Sequence, residues 1–166
     1  MPNTESYFLR LMIIFKTAKD SLEFETAGKL FAEYAVQLNV DLSFQSFEEE
    51  LAAIHVLYNL PSGGLIIAYD DDKPMACGAI RKFEDDVAEL KRMYVREEYR
   101  GSGVGRELLN ELLRKAKALG YTRIRLDTLP GMESAQRLYR ALGFYEIMPY
   151  RFNPIEGTLY FEKVLK

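Results

Sequence analysis

The chain has 166 residues, and its 48% hydrophobic and 28% charged content predicts one globular domain. No apolar run approaches the roughly 20 residues of a membrane helix, and Arg10 interrupts the one stretch that resembles a signal core, so we expect a cytoplasmic protein with no membrane partner. Cys77 is the single cysteine, and no cluster of Cys, His and carboxylates has metal-ligand spacing, which argues against an internal disulfide and a metal.

The net charge of -3 combines an acidic first half with a basic second half. Residues 1–90 carry a net charge of -9, whereas residues 91–166 carry +6. The overall acidity argues against nucleic acid as a partner. A polyanionic ligand is expected at the basic half, and a cationic ligand at the acidic half if those charges line a cleft.

The first half of the chain predicts one strand, two helices and three further strands. Asp20 with Glu23, and Ser46 with Glu49, are capping-box pairs that mark the starts of the two helices, and apolar residues at helical spacing follow each pair. Strands are predicted over residues 8–15, 64–69, 75–83 and 87–95, and the last three should form an antiparallel meander.

The second half begins with a glycine-rich turn before the clearest helix in the sequence. Leucines and alanines at helical spacing run from Leu108 to Leu119, and the pattern stops at Gly120. A strand over residues 123–128 completes a strand-helix-strand unit, whose strands should be near-parallel. A helix over residues 135–142 and strands over 145–150 and 158–164 follow, so the predicted order is βααβββαβαββ.

The glycine-rich turn has the features of an anion site. Gly101, Gly103 and Gly105 leave backbone N–H groups uncovered where a helix begins, and Arg100 and Arg106 add full positive charges. The spacing fits neither the dinucleotide fingerprint G-x-G-x-x-G nor a Walker loop ending in G-K-[ST]. A phosphate is therefore expected here, and the alternative is a strand-to-helix turn without a ligand.

The run Arg100-Gly101-Ser102-Gly103-Val104-Gly105 resembles the R/Q-x-x-G-x-G/A pyrophosphate loop of the GNAT superfamily of acyl-CoA-dependent N-acyltransferases. The predicted element order and the helix end Leu138-Tyr139-Arg140-Ala141-Leu142-Gly143-Phe144 extend the resemblance over nearly the whole chain. It implies a single domain over residues 1–166 with an α/β (α+β) fold. The implied sheet is mixed, mostly antiparallel and of about seven strands, with four flanking helices. The implied co-substrate is acetyl-CoA, with no metal.

The resemblance also implies the residues that bind coenzyme A. They lie on the strand before the loop, in the loop and at the start of the later helix: Met93, Tyr94, Val95, Arg100, Gly101, Ser102, Gly103, Val104, Gly105, Arg106 and Ser134. Many relatives have an asparagine three residues before the alanine of that later helix, where this chain has Met132. Ser134 or the Met132 main chain could replace that contact.

Two catalytic roles follow from the same resemblance. Glu89, fourteen positions before Gly103, is expected to act as the base that removes a proton from the attacking amine. Tyr139 is expected to protonate the leaving thiolate, and backbone N–H groups near Met93, where two strands splay apart, should stabilise the oxyanion. From the residues alone, Glu89 could be a surface ion-pair partner and Tyr139 one member of an apolar stripe.

The acceptor is expected to be a primary amine of a small molecule or peptide. Phe44, Phe47 and Glu48 between the first two helices, and Asp127 at a strand end, are the candidates to contact it, although core packing and a salt bridge to Arg125 or Arg151 explain them equally well. The acidic half favours a polyamine, an aminoglycoside or a lysine-type amine. A homodimer, a CoA-binding sensor without turnover and a nucleotide-binding regulatory domain remain open at this stage.

Overall fold

The computed structural model describes residues 12–43 and 46–166, which form one mixed sheet and five helices. The seven strands are β1 (Ile13–Thr17), β2 (Gly64–Asp70), β3 (Lys73–Glu84), β4 (Val87–Val95), β5 (Arg123–Thr128), β6 (Tyr145–Ile147) and β7 (Leu159–Val164). The helices are α1 (Ser21–Leu38), α2 (Phe47–Ala52), α3 (Ile54–Leu57), α4 (Val104–Ala118) and α5 (Glu133–Ala141).

The sheet has the order β1-β2-β3-β4-β5-β7-β6. All neighbouring strands are antiparallel except β4 and β5, which are parallel and joined by α4. The predicted fold class and the predicted parallel pair are therefore confirmed.

Of the two helix starts predicted from capping residues, the structure confirms one. Asp20 caps α1 as predicted, because its carboxylate accepts a hydrogen bond from the Glu23 backbone N–H at 2.9 Å. The capping box predicted at Ser46 is wrong, because this residue has left-handed backbone angles (φ 54°) and its side chain makes no cap hydrogen bond. The single helix predicted there is divided at Ala53 into α2 and α3. Residues 8–11 of the predicted first strand lie outside the described part.

Helices cover both faces of the sheet and leave an apolar core on each side. Leu108, Leu109 and Leu112 of α4 are fully buried in a cluster with residues of the central strands, and α5 packs into the same cluster. Helix α1 lies on the other face, where Phe24 and Phe31 are buried with residues of β2 and β3. No helix in the described ranges is long and apolar enough to cross a membrane.

The centre of the sheet is split at the carboxyl ends of β4 and β5. Their ladder covers only Val87–Glu89 opposite Arg123–Arg125, although both strands continue beyond it. Opposite β3, β4 carries one additional residue between Lys91 and Tyr94, and Arg92 within this bulge has a φ of 56°. The bulge turns the second half of β4 away from β5, and the resulting gap holds the candidate site.

Candidate active site

A cleft of about 740 Å³ runs from the glycine-rich turn to the gap in the sheet. Ten of the eleven residues predicted to bind coenzyme A line it: Met93, Tyr94, Val95, Arg100, Gly101, Gly103, Val104, Gly105, Arg106 and Ser134. Ser102 is the exception, and its hydroxyl donates a hydrogen bond to the Tyr99 carbonyl within the turn. The residues predicted from the sequence therefore lie on one surface, and their contacts with a cofactor remain predictions.

The turn presents bare backbone donors at the start of α4. Gly101 and Gly103 have φ angles of 81° and 89°, and an added Cβ at either position would meet no atom within 4 Å. The backbone N–H groups of Gly103, Gly105 and Arg106 donate to no carbonyl among the described residues. Together with the positive end of the α4 dipole, these donors fit a phosphate group.

Charged and polar side chains surround this turn. The Arg100 guanidinium donates to the Val95 carbonyl at 3.1 Å and to the Gln37 side chain, which holds it at the rim of the cleft. Arg106 is exposed at the start of α4 and lines the cleft. Ser134 accepts a hydrogen bond from Arg137 at 3.1 Å, so its hydroxyl already has a partner within α5.

A second, smaller cavity of about 40 Å³ lies in the gap between β4 and β5. Its polar wall is formed by Lys91, Arg92, Asp127 and Thr128. Five of its other lining residues also line the cleft: Tyr34, Leu38, Met93, Met132 and Tyr139. The two cavities therefore meet at these five side chains.

Tyr139 lies at this junction, where sequence reasoning placed the general acid. Its side chain is buried, and burial raises the pKa of its phenol well above the ordinary value of 10. Tyr34 lies at the same junction, and burial raises its pKa to about 12. The sequence predicts Tyr34 only as part of the apolar stripe of α1, and this pattern gives no indication that Tyr34 lies between the two cavities.

Glu89, the predicted base, is buried among charged side chains of neighbouring segments. It is 0% exposed and lines neither cavity. One carboxylate oxygen accepts from Arg81 at 3.1 Å, and the other from Arg151 at 2.7 Å and from the Tyr150 hydroxyl at 2.8 Å. Its carboxylate oxygens are therefore occupied by two arginines and a tyrosine beneath the gap.

Arg92 connects the β4 bulge to α2. Its guanidinium donates to both carboxylate oxygens of Glu50 at 2.8 and 3.0 Å, and both side chains are buried. Phe47, a predicted acceptor contact, packs against this guanidinium at 5.2 Å from its ring centroid. Phe47 thus supports the wall of the small cavity from behind and lines neither cavity itself.

The other residues predicted to contact the acceptor do not lie together in the structure. Asp127 lines the small cavity and accepts one long hydrogen bond, 3.5 Å, from Asn153. The salt bridge considered for Asp127 does not form, since Arg125 pairs with Glu162 and Arg151 with Glu89. Glu48 lines neither cavity. Phe44 lies outside the described residues.

Lys91 is the charged group that sequence reasoning missed. It is buried in the wall of the small cavity, and burial lowers its pKa to about 8. The available signal was the charge pattern of β4, where Glu89, Lys91 and Arg92 interrupt an otherwise apolar strand. A buried strand tolerates such charges only where they meet partners or a polar cavity.

Comparison with known proteins identifies the family. The model of the acetyltransferase (GNAT) family matches residues 30–144. The chain belongs to this family of acetyltransferases. An uncharacterized N-acetyltransferase of Schizosaccharomyces pombe is 37% identical over 133 residues, which cover 79% of this chain and 82% of the relative.

Solved structures share the fold of this GNAT chain. An acetyltransferase from Streptococcus agalactiae superposes with a TM-score of 0.77 and 22% identity over 92% of this chain and 98% of that one. A Salmonella typhimurium chain solved with its cofactor acetyl-CoA has a TM-score of 0.68 and 15% identity over 93% and 94% of the two chains. Within the described part of this acetyltransferase, no group of three or more His, Cys, Asp or Glu could hold a metal ion.

Proposed function

We propose that this GNAT acetyltransferase transfers an acetyl group from acetyl-CoA to a primary amine of a small molecule or peptide by direct attack. The observation that carries the proposal is the meeting of two cavities at Tyr139. The large cleft has the glycine-rich turn at its far end, and the small cavity has a carboxylate in its wall. A thioester and an amine bound in the two cavities would meet beside a phenol.

The large cleft fits the co-substrate in both shape and chemistry. The bare N–H groups at the start of α4, with Arg100 and Arg106, would hold the pyrophosphate. The edge of β4 beyond Glu89 has no ladder with β5, so its backbone groups can pair with the amides of the pantetheine arm. The same edge near Met93 would supply the N–H group that stabilises the oxyanion.

Asp127 and Tyr139 would handle the two protons of the reaction. Asp127 holds the acceptor ammonium and receives its proton, directly or through water, so that the neutral nitrogen can attack the thioester carbonyl carbon. The nitrogen that has added to the carbonyl then loses its second proton to solvent, the carbon–sulfur bond breaks, and Tyr139 donates its phenolic proton to the departing thiolate. The products are an acetamide and coenzyme A, and proton exchange with solvent restores both groups.

Glu89 would act on the site through its neighbours. With both oxygens bound by Arg81, Arg151 and Tyr150, it anchors the segment after β6 beneath β4. We therefore propose that Glu89 positions Lys91 and Asp127 by fixing the floor of the small cavity. Its role as the base remains a prediction that the pH dependence of a variant can test.

The experiment combines calorimetric titration of acetyl-CoA with a thiol-release assay over a panel of amines. Cys77 is 0% exposed, so the protein itself should contribute little to a thiol signal. We expect binding of acetyl-CoA and amine-dependent release of free thiol. Binding without release for every amine would instead identify a CoA-binding sensor, and no binding would refute the proposal.

A further inference from the structure

Lys91 and Asp127 are two opposite charges in the wall of the small cavity that have no ionic partner in the described part of the chain. Lys91 is 5% exposed, and neither residue forms a salt bridge there. The nearby charges are already satisfied, because Glu89 is bound by Arg81 and Arg151, and Arg92 by Glu50. Burying an unpaired charge is costly, which indicates that a ligand completes the arrangement.

Thr128 is an independent sign of a polar ligand in the same cavity. Its side chain is buried, and its hydroxyl has no hydrogen-bond partner among the described residues. It lines the small cavity with Lys91 and Asp127. Buried hydroxyl groups nearly always have a partner, so this hydroxyl is available to a group that enters the cavity.

We propose that the acceptor carries a carboxylate near its amine, as an amino acid does. Lys91 and the Thr128 hydroxyl bind the carboxylate, and Asp127 binds the ammonium before it is deprotonated. The small cavity joins the larger cleft at Tyr139, so the polar end of the acceptor can enter it while the rest of the molecule extends toward the cleft. This inference rests on the proposed acetyl transfer and replaces the polyamine or aminoglycoside expected from the acidic half.

The proposal gives acceptor binding a pH dependence. The charged groups around Lys91 are Glu89 and Arg92 on β4, Asp127 on β5 and Arg151 after β6. Burial is the largest influence and lowers the Lys91 pKa to about 8. Lys91 loses its charge as the pH rises through this value, so affinity for a carboxylate should fall above pH 8, whereas affinity for the same molecule without its carboxylate should not.

The first test compares amino acids with their decarboxylated amines as acceptors in the full-length protein. We expect the wild-type kcat/KM to be about tenfold higher for the acids, through a lower KM. Lys91→Met should reduce this ratio to near one and leave acetyl-CoA affinity unchanged. Lys82→Met is the matched control, because Lys82 is exposed and pairs with Asp85 at 3.0 Å, away from both cavities. Equal use of both acceptor classes by the wild type would overturn the proposal.

The second test measures binding alone and so does not depend on turnover. N-acetyl amino acids, which are the products of the proposed reaction, are titrated by calorimetry against their N-acetylamine counterparts. Thr128→Val should weaken binding of the acids severalfold while leaving the protein as stable as the wild type or more so, because an orphaned hydroxyl is removed. If the wild type did not bind acetyl-CoA, the acetyl transfer itself would be refuted. If Lys91→Met and Thr128→Val both kept the wild-type preference for acids over amines, only the carboxylate site would be refuted.

Discussion

Tyr139 combines contact with both cavities and a phenol that stays protonated. Because burial raises its pKa above 10, the phenol can donate a proton throughout the neutral and mildly basic range. We expect Tyr139→Phe to lower kcat by roughly tenfold to ten-thousandfold, the cost of a lost general acid. Acetyl-CoA affinity should be kept, since the ring would still pack on Phe144 at 5.6 Å. Steady-state kinetics and calorimetry would measure the two effects.

Tyr34→Phe provides a matched control for this experiment. Tyr34 lies at the same junction, and burial raises its pKa to about 12. Its hydroxyl already donates to the Met132 sulfur at 3.9 Å, so its removal should change kcat much less. If Tyr34→Phe were the slower variant, the role of general acid would pass to Tyr34.

A comparison of Glu89→Gln with Asp127→Asn separates a positioning residue from a proton acceptor. A lost proton acceptor slows the reaction most at low pH, where few amines are neutral. We expect this pattern in Asp127→Asn and a loss that is uniform across pH in Glu89→Gln. Glu89→Gln should also lower the free energy of unfolding by about 3 kcal/mol, because Arg81 and Arg151 lose a buried counter-charge.

The pH–rate profiles and urea unfolding curves of the two variants provide the measurements. A loss concentrated at low pH in Glu89→Gln, with unchanged stability, would restore Glu89 as the base and remove Asp127 from that role. Wild-type and variant proteins should be compared with one acceptor whose amine pKa is known, because the acceptor itself titrates in the same range.

At the scale of elements, the loop before α4 should bind the cofactor largely through its backbone. We expect Gly103→Glu to abolish acetyl-CoA binding, because a side chain and a negative charge would occupy the phosphate site. Gly120→Glu is the matched control. Gly120 also has a positive φ, 95°, and also has no atom within 4 Å of an added Cβ, but it lies at the opposite end of α4.

Both glutamate variants should lose similar stability, since both force a side chain into left-handed backbone angles. Only Gly103→Glu should lose cofactor binding, as measured by calorimetry on folded protein. Acetyl-CoA affinity that is unchanged in Gly103→Glu, or equally reduced in Gly120→Glu, would contradict the assignment of the phosphate site.

The elements that sequence predicted well are those whose signal is local. The α4 stripe, the Asp20 cap and the glycine-rich turn each depend on residues within a few positions of one another. The β4 bulge could not be predicted in this way. It is stabilised by the pair of Arg92 with Glu50, which lies 42 positions earlier, and the bulge reorients β4 relative to a regular strand.

Distant pairing also determines the surroundings of Glu89, which the sequence could not predict. Strand alternation alone gives no reason for Glu89 to lie among Arg81, Arg151 and Tyr150, because the last two come from a segment 61 or more positions later. The resemblance to a family predicted most of the residues that line the large cleft, because they belong to the family's motifs. The small cavity is formed mainly by residues outside those motifs, so only the structure reveals Lys91 there.

On the scale of the whole molecule, many of the opposite charges of the two halves pair with each other. Arginines of the second half pair with glutamates of the first half: Arg92 with Glu50, Arg96 with Glu33, Arg125 with Glu84 and Arg151 with Glu89. No carboxylate of residues 12–43 or 46–90 lines the small cavity. The charge of the acidic half therefore gives no support for a polyamine or aminoglycoside acceptor, whereas the arginines at the glycine-rich turn line the cleft that would receive a polyanion.

Salt should therefore weaken binding of acetyl-CoA through the basic rim of the cleft. Arg100 and Arg106 lie at this rim, so their attraction to phosphates is screened as the Debye length falls from about 10 Å at 0.1 M salt to about 3 Å at 1 M. We expect the KM for acetyl-CoA to rise about tenfold over this range, and less steeply in Arg106→Ala. Acetyl-pantetheine lacks the phosphates and serves as the control, since its KM should not respond to this screening. Equal salt dependence for the two thioesters would show that the rim arginines do not contact the cofactor phosphates.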